Sequence, residues 1–133
     1  VATGEKLPFD QKDIRIRGNA IEVRINAEDP SQGFAPSPGK LTEYRVPGGP
    51  GIRIDTHAYP GYVVPPFYDS LLGKLCAYGD TREEAIARMR RALDEYVVGG
   101  IHTTIPFHRR VMDDPAFVLG SVHTDFLETS ASV

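Results

Sequence analysis

Apolar and polar residues alternate near the start of the chain, in the run Ile21-Glu22-Val23-Arg24-Ile25-Asn26. A period of two residues is typical of a strand with one buried face and one exposed face. We therefore predict a strand over residues 14–27, interrupted near Gly18. Its exposed face presents a carboxylate, a guanidinium and an amide in a row, which a strand that merely closes a core does not require. Two interpretations of this face stay open, a solvated surface and a binding site.

Further strands are predicted downstream from their apolar and alternating residues. They cover residues 40–46, 52–57 and 70–78, with a short strand at 62–64. Residues 28–39 and the bend at 47–51 are rich in proline and glycine, so we predict loops there. Gly73 interrupts the strand at 70–78 and indicates a bulge.

The pattern changes to a helical period after residue 80. Thr81 can cap a helix while Glu84 accepts from the amide of Thr81, and the two together form a capping box. Apolar residues then recur at helical spacing until a glycine pair, which predicts a helix over 82–98. Proline in the first turn predicts two more helices, at 105–113 and 115–120. Strands first and helices later predict an α+β fold, with an antiparallel β-sheet followed by two or three helices.

The composition excludes several classes of protein. A chain of 133 residues with 41% hydrophobic residues is long enough for one globular domain with its own core. The net charge of −3 argues against a nucleic-acid surface, and no apolar run approaches the roughly 20 residues of a membrane span. Cys76 is the only cysteine, so we expect a reducing, cytoplasmic compartment. Its apolar neighbours predict a small buried side chain rather than a nucleophile.

Most catalytic templates are missing from the sequence. The glycine-rich residues 48–51 lack the Lys-Ser/Thr of a phosphate-binding loop, and Ser70 does not lie in a nucleophile elbow. The four histidines have no metal-ligand spacing, so we predict no metal site and no binding of magnesium-ATP by this chain alone. Arg24 remains as a candidate, because a guanidinium can stabilise a developing oxyanion through directed, charge-assisted hydrogen bonds.

The alternating run resembles the opening of the C-terminal domain of biotin carboxylases, the ATP-grasp component of biotin-dependent carboxylases. Further stretches resemble the same family in the same order. They are Pro36-Ser37-Pro38-Gly39-Lys40-Leu41, Pro47-Gly48-Gly49-Pro50-Gly51-Ile52-Arg53, Val64-Pro65-Pro66-Phe67-Tyr68-Asp69-Ser70-Leu71-Leu72-Gly73-Lys74-Leu75, Gly100-Ile101 with Thr103-Thr104, and Thr124-Asp125-Phe126-Leu127-Glu128. Each motif is weak alone, but their fixed order over residues 15–128 is specific.

This resemblance implies one domain of a larger enzyme. Residues 1–14 are expected to connect from an ATP-grasp domain, and residues 15–133 to form the biotin carboxylase C-terminal domain. Because the chain starts with Val1 rather than Met, we expect a piece of a longer protein that is inactive alone. The implied enzyme is an ATP-dependent ligase that carboxylates biotin with bicarbonate. This is the first half-reaction of acetyl-CoA carboxylase, in fatty acid biosynthesis, or of a related carboxylase.

The resemblance also implies substrates and partners. The full-length enzyme would use carrier-linked biotin, ATP and magnesium, none of them bound by this chain alone. Expected partners are the protein's own N-terminal ATP-grasp region, the biotin carboxyl carrier protein, the carboxyltransferase and a second copy in a homodimer. The carboxyltransferase, rather than this domain, would choose the acyl-CoA or keto acid that finally receives the carboxyl group.

The resemblance carries roles to individual residues. Arg24 matches the family's arginine that stabilises negative charge on the ureido oxygen of biotin when N1′ is deprotonated. Asp69 is our candidate partner for orienting Arg24 in the biotin site, with Glu22 as its competitor and a plain turn residue as the alternative. Thr124 matches a position on the adenine side of the ATP site. The alternative is that Thr124 is an ordinary surface residue with no contact to the nucleotide.

A separate role at the dimer interface is implied for Arg53. Family members have an aromatic residue shortly before this arginine, whereas this chain has Pro50 there. That departure puts the strength of the contact in doubt.

Two other functions stay open from the sequence. The domain could be a non-catalytic module for dimerisation or docking to the carboxylase complex. It could also be the matching domain of a biotin-independent ATP-grasp ligase, although Arg24 in its motif together with residues 64–75 argues against that choice.

Overall fold

The computed structural model describes residues 1–129, so positions 130–133 of the predicted domain lie outside the described residues. The strands, in chain order, are β1 (Asn19–Asn26), β2 (Glu28–Asp29), β3 (Ala35–Pro36), β4 (Gly39–Lys40), β5 (Glu43–Arg45), β6 (Ile52–Thr56), β7 (Val63–Val64), β8 (Leu71–Gly79) and β9 (Val97–Gly99). The helices are α1 (Arg82–Glu95), α2 (Ile105–Asp113), α3 (Pro115–Leu119) and α4 (Phe126–Thr129). Short 3-10 turns cover Gln11–Asp13 and Pro30–Gln32.

The principal sheet consists of β1, β8 and β6, in that order and with antiparallel pairing. Its register pairs Glu22 with Cys76, Arg24 with Lys74, and Ile25 with Gly73. The bulge predicted at Gly73 lies at its neighbour Leu72, which has no partner in β1. A Cβ at Gly73 would lie 3.0 Å from the Cβ of Thr56, so glycine permits the close approach of β6.

One face of the principal sheet packs against the helices. The buried residues are Ile21, Val23, Ile25, Leu75 and Ala77 from the sheet, and Ala85, Ile86, Met89, Ala92, Leu93, Ile105, Phe107, Val111 and Met112 from α1 and α2. A smaller cluster contains Ala27, Leu41, Val64 and Leu72. The predicted α+β fold, with an antiparallel sheet followed by helices, is confirmed, and α4 adds one short helix to the predicted number.

The start of α1 agrees with the sequence prediction, with one difference in its cap. Thr81 accepts at 3.2 Å from the amide of Glu84, as an N-cap should. The carboxylate of Glu84, however, accepts from the amide of Asp80 at 2.7 Å rather than from that of Thr81. One backbone donor before the helix and one in its first turn are therefore satisfied.

The predicted end of α1 at residue 98 was wrong. The helix ends at Glu95, and Val97–Gly99 forms β9, which pairs with β5. Tyr96 is buried at the junction, where its hydroxyl lies 2.7 Å from that of Tyr44. Pairing with β5 therefore overrides the helical spacing of the last apolar residues.

Several predicted loop and strand boundaries also changed. Residues 14–17 are exposed and not a strand, so β1 begins only at Asn19. The predicted loop at 28–39 contains the two-residue ladder of β2 with β3. The predicted strand at 40–46 is divided into β4 and β5, which pair with different partners.

Cys76 corrects another prediction, because its side chain is not in the core. It lies partly exposed on the outer face of β8, with Sγ 3.5 Å from a carboxylate oxygen of Glu22. Alternation along β8 buries Leu75 and Ala77 and turns Cys76 outward. Partial burial of the thiol and, to a smaller extent, the neighbouring Glu22 raise the pKa of Cys76, which opposes formation of a nucleophilic thiolate.

Candidate functional site

Arg24 lies on the outer face of β1, with its side chain half-exposed. Its Nη2 atom is 3.6 Å from Oδ1 of Asp69, which precedes β8 in the chain. Glu22, the competing partner, instead lies 3.8 Å from Nζ of Lys74 across the strand pair. The structure therefore brings Arg24 to Asp69 and leaves Glu22 with a different cation.

Local hydrogen bonding fixes the position of Asp69. Its Oδ1 accepts from the amide of Leu71 at 2.8 Å, which is the geometry of an Asx turn. Two prolines at 65 and 66 restrict the backbone before it. Phe67 and Tyr68 between them are 85% and 82% exposed, so the aromatic part of this loop lies mostly in solvent.

The backbone around Arg24 is held from its other side by the start of α2. The carbonyl of Arg24 accepts from Oγ1 of Thr104 at 3.0 Å and from Nε2 of His108 at 2.8 Å. The same Thr104 hydroxyl accepts from the amide of Asn26 at 3.0 Å. Sequence reasoning gave neither residue a role in the site: it identified Thr104 as the cap of α2 and a member of a matched stretch, and it did not single out His108.

Two surface cavities meet at Arg24. A cavity of about 360 Å³ is lined by Arg24, His108 and Thr124 together with apolar residues of α2 and α4. A second, of about 500 Å³, is lined by Arg24, Asp69 and several aromatic side chains. Thr124 is exposed in the turn before α4. It lines the first cavity together with Arg24.

The proposed interface residues lie elsewhere on the same side of the molecule. Arg53 is on β6, two strands from Arg24, and its side chain is 76% exposed. Its Nε donates to Oδ1 of Asp55 at 3.1 Å, and its Nη2 lies 3.0 Å from Oδ2 in an ion pair; this contact raises the pKa of Arg53. Pro50 is exposed in the turn before β6. Neither residue contributes to the cavities around Arg24.

The residues around Arg24 can bind and orient an anion but contain little else for catalysis. The imidazole of His108 has its pKa lowered by burial, and its Nε2 is committed to a backbone carbonyl. Within residues 1–129, no group of three or more His, Cys, Asp or Glu side chains could hold a metal ion. The site therefore offers a directed cation, the guanidinium of Arg24.

Residues 1–129 include no helix long and apolar enough to cross a membrane.

Comparison with known proteins identifies the family. The model of the biotin carboxylase C-terminal domain matches residues 22–129. The chain is 57% identical over 128 residues to a pyruvate carboxylase subunit from Methanothermobacter thermautotrophicus, covering 96% of this chain and 26% of that protein. It is 55% identical over 129 residues to biotin carboxylase 1 of Bacillus subtilis, covering 97% of this chain and 29% of that protein.

A solved structure has the same fold. The biotin carboxylase domain dimer of the Hydrogenobacter thermophilus 2-oxoglutarate carboxylase, in complex with MgADP, ADP and bicarbonate, matches with a TM-score of 0.91 and 48% identity. The match covers 96% of this chain and 28% of that one. The chain thus spans less than a third of the length of these relatives. On the family model and these identities, the chain belongs to the biotin carboxylase C-terminal domain family.

Proposed function

We propose that this chain is the C-terminal domain of a longer, ATP-dependent biotin carboxylase and forms one wall of its biotin site. The observation that carries the proposal is Arg24, a half-exposed cation at the junction of two cavities with Asp69 beside it. Residues 1–14, exposed throughout, would connect the domain to an ATP-grasp region. The described residues offer no cluster for magnesium, so the ATP-grasp region would hold the magnesium nucleotide.

Arg24 would act on the developing charge of the substrate biotin. When N1′ of the ureido ring loses its proton, negative charge moves to the ureido oxygen. The guanidinium of Arg24 donates charge-assisted hydrogen bonds to that oxygen and lowers the energy of the anion. One preorganised donor of this kind is worth about 2.7–4 kcal/mol in well-studied oxyanion sites. Arg24 cannot serve as the base at neutral pH, so another part of the enzyme would remove the proton.

Asp69 would hold the guanidinium of Arg24 in one pose. We expect Asp69→Asn in the full-length enzyme to lower kcat for biotin carboxylation about tenfold, because misplacing a group by a fraction of an ångström is costly. The melting temperature should change little, since the pair is exposed. Steady-state kinetics with free biotin and a thermal melt measure both quantities.

Glu43 provides a matched control for this experiment. It lies 3.6 Å from Arg45 in a similarly exposed ion pair, away from both cavities. The Glu43→Gln variant should keep the kcat of the parent enzyme. Unchanged turnover in the Asp69→Asn enzyme would refute the orienting role and leave Asp69 as a turn residue.

Thr124 would lie on the adenine side of the nucleotide. Support comes from its place in the cavity that Arg24 also lines, where Val122, Phe126 and Leu127 add apolar surface. Such a surface suits the face of a purine ring.

A second proposed function is dimerisation through the outer face around Arg53. The favouring observation is that Arg53 and Pro50 are exposed at β6, an edge strand among the described residues. The Hydrogenobacter relative was solved as a dimer of its biotin carboxylase domain. Because a two-fold interface uses each residue twice, a charge reversal acts at two places.

We expect Arg53→Glu to weaken self-association of the full-length enzyme at least tenfold, measured as the dimer dissociation constant by sedimentation. The new carboxylate would lie beside Asp55 and repel it. Arg45→Glu, on a strand outside the principal sheet, is the control and should leave the dissociation constant unchanged. If the two variants had equal dimer dissociation constants, Arg53 would not be an interface residue.

The carrier protein and the carboxyltransferase are proposed partners of the whole enzyme. Relatives of similar identity carry the names of a pyruvate carboxylase and a 2-oxoglutarate carboxylase. This variety supports the view that the final carboxyl acceptor is chosen outside this domain.

A further inference from the structure

The start of α2 closes the open edge of β1 at the position of Arg24. In the order β1-β8-β6, one edge of β1 has no strand beside it within the described residues. Backbone groups on such an edge normally face water. Here the carbonyl of Arg24 accepts from Thr104 and His108, and the carbonyl of Asn26 accepts from the amide of Thr104 at 3.1 Å.

The side chain of Thr104 makes these bonds instead of capping α2. It occupies the N-cap position of α2, yet its hydroxyl makes no capping hydrogen bond to the helix. The hydroxyl instead donates to the carbonyl of Arg24 and accepts from the amide of Asn26. Thr104 is 4% exposed, so this contact is shielded from water. The hydroxyl of Thr104 therefore fixes β1 against the start of α2 instead of accepting from an amide in the first turn of the helix.

His108 makes the second contact from the next turn of α2. A carbonyl can only accept, so Nε2 carries the proton and donates to Arg24. The imidazole packs edge-on against Phe107, with ring centroids 5.4 Å apart. Phe107 is itself buried and packs edge-on against Phe34. The imidazole that donates to Arg24 is therefore packed against an aromatic side chain, which restricts its movement.

We propose that His108 is a positioning residue for Arg24, which it holds through the backbone carbonyl while Asp69 holds the guanidinium. The inference rests on the proposed function, because it assigns His108 a part in orienting the cation beside biotin. The backbone carbonyl sets the direction of the Cα–Cβ bond of Arg24, and Asp69 sets the far end of the side chain. Fixing both ends leaves the guanidinium little freedom before the substrate arrives.

The test compares His108→Leu with His108→Gln in the full-length enzyme. Leucine removes the donor, and we expect kcat for biotin carboxylation to fall about threefold to tenfold. KM for ATP and bicarbonate-dependent ATP hydrolysis without biotin should stay unchanged, because neither uses Arg24 in this way. Glutamine keeps an N–H donor of similar reach, and it should restore kcat to within about twofold of the parent.

Controls separate positioning from general loss of stability. His102, whose side chain is 71% exposed, lies outside both cavities at Arg24, so His102→Leu should behave like the parent enzyme. A proportional loss of all activities in His108→Leu, or no rescue by glutamine, would overturn the proposal. Parent-like kcat in His108→Leu alongside an inactive Arg24→Gln would refute only the role of His108. An active Arg24→Gln would instead refute the proposed function itself.

Discussion

Replacing Arg24 with glutamine in the full-length enzyme is expected to lower kcat for biotin carboxylation by about a hundredfold to a thousandfold. A loss of this size is typical when one preorganised donor is removed from an oxyanion site. Glutamine keeps a neutral amide donor but loses the charge and the planar fork that match an anionic oxygen. The measurement is ATP-dependent carboxylation of free biotin, compared with bicarbonate-dependent ATP hydrolysis in its absence. The second activity should fall much less.

Arg45 offers a matched control for this result. It is also an exposed arginine on a strand, 3.6 Å from a carboxylate, but it does not line either cavity. Arg45→Gln should leave both activities unchanged. If Arg24→Gln kept more than about a third of the parent's biotin carboxylation, Arg24 could not be the group that stabilises the ureido oxygen.

Truncating Leu75 to alanine should lower the free energy of unfolding of this chain by about 3–5 kcal/mol. Leu75 is fully buried on the central strand of the principal sheet, where it packs in the core beneath α1. Alanine would leave a cavity there that the strands on both sides prevent from collapsing. Urea denaturation of the 133-residue chain, followed by circular dichroism, measures the change.

Leu119 provides the same substitution without burial. Its side chain is 78% exposed at the end of α3, so Leu119→Ala should change the free energy of unfolding by less than about 0.5 kcal/mol. A small loss at Leu75, comparable to that at Leu119, would contradict the packing of Leu75 in the core.

The secondary structure nearest the site was predictable because its residues obey local rules. The alternation of apolar and polar residues in β1 predicts one buried face, and the side chains of Ile21 and Ile25 are in the core. The cap at Thr81 and the prolines that begin α2 and α3 likewise act within a few residues. Such patterns give the same result in most tertiary contexts.

Other elements could not be predicted because distant strands decide them. Val97 and Val98 fit a helical spacing, but pairing with β5 takes them out of α1. Cys76 lies in an apolar run, and only the register of β8 shows which of its residues face outward. The short ladders around β2 and β4 are too brief to leave a periodic signal.

The residues of the candidate site likewise differ in whether the sequence could predict them. Arg24 could be singled out because a guanidinium on the polar face of a strand is visible in the sequence. Asp69 was a candidate from its motif, but the choice between Asp69 and Glu22 needed coordinates. His108 gave no signal, since it acts on a backbone carbonyl 84 positions away in the chain.

The sequence by itself determined the class of fold, the start of the main helix and the identity of the exposed cation, because each depends on spacing between near neighbours. Only the tertiary structure decided which carboxylate meets Arg24, where α1 gives way to β9, and how α2 closes the edge of β1. Those outcomes depend on strand register and on hydrogen bonds between distant segments, and no local pattern encodes them.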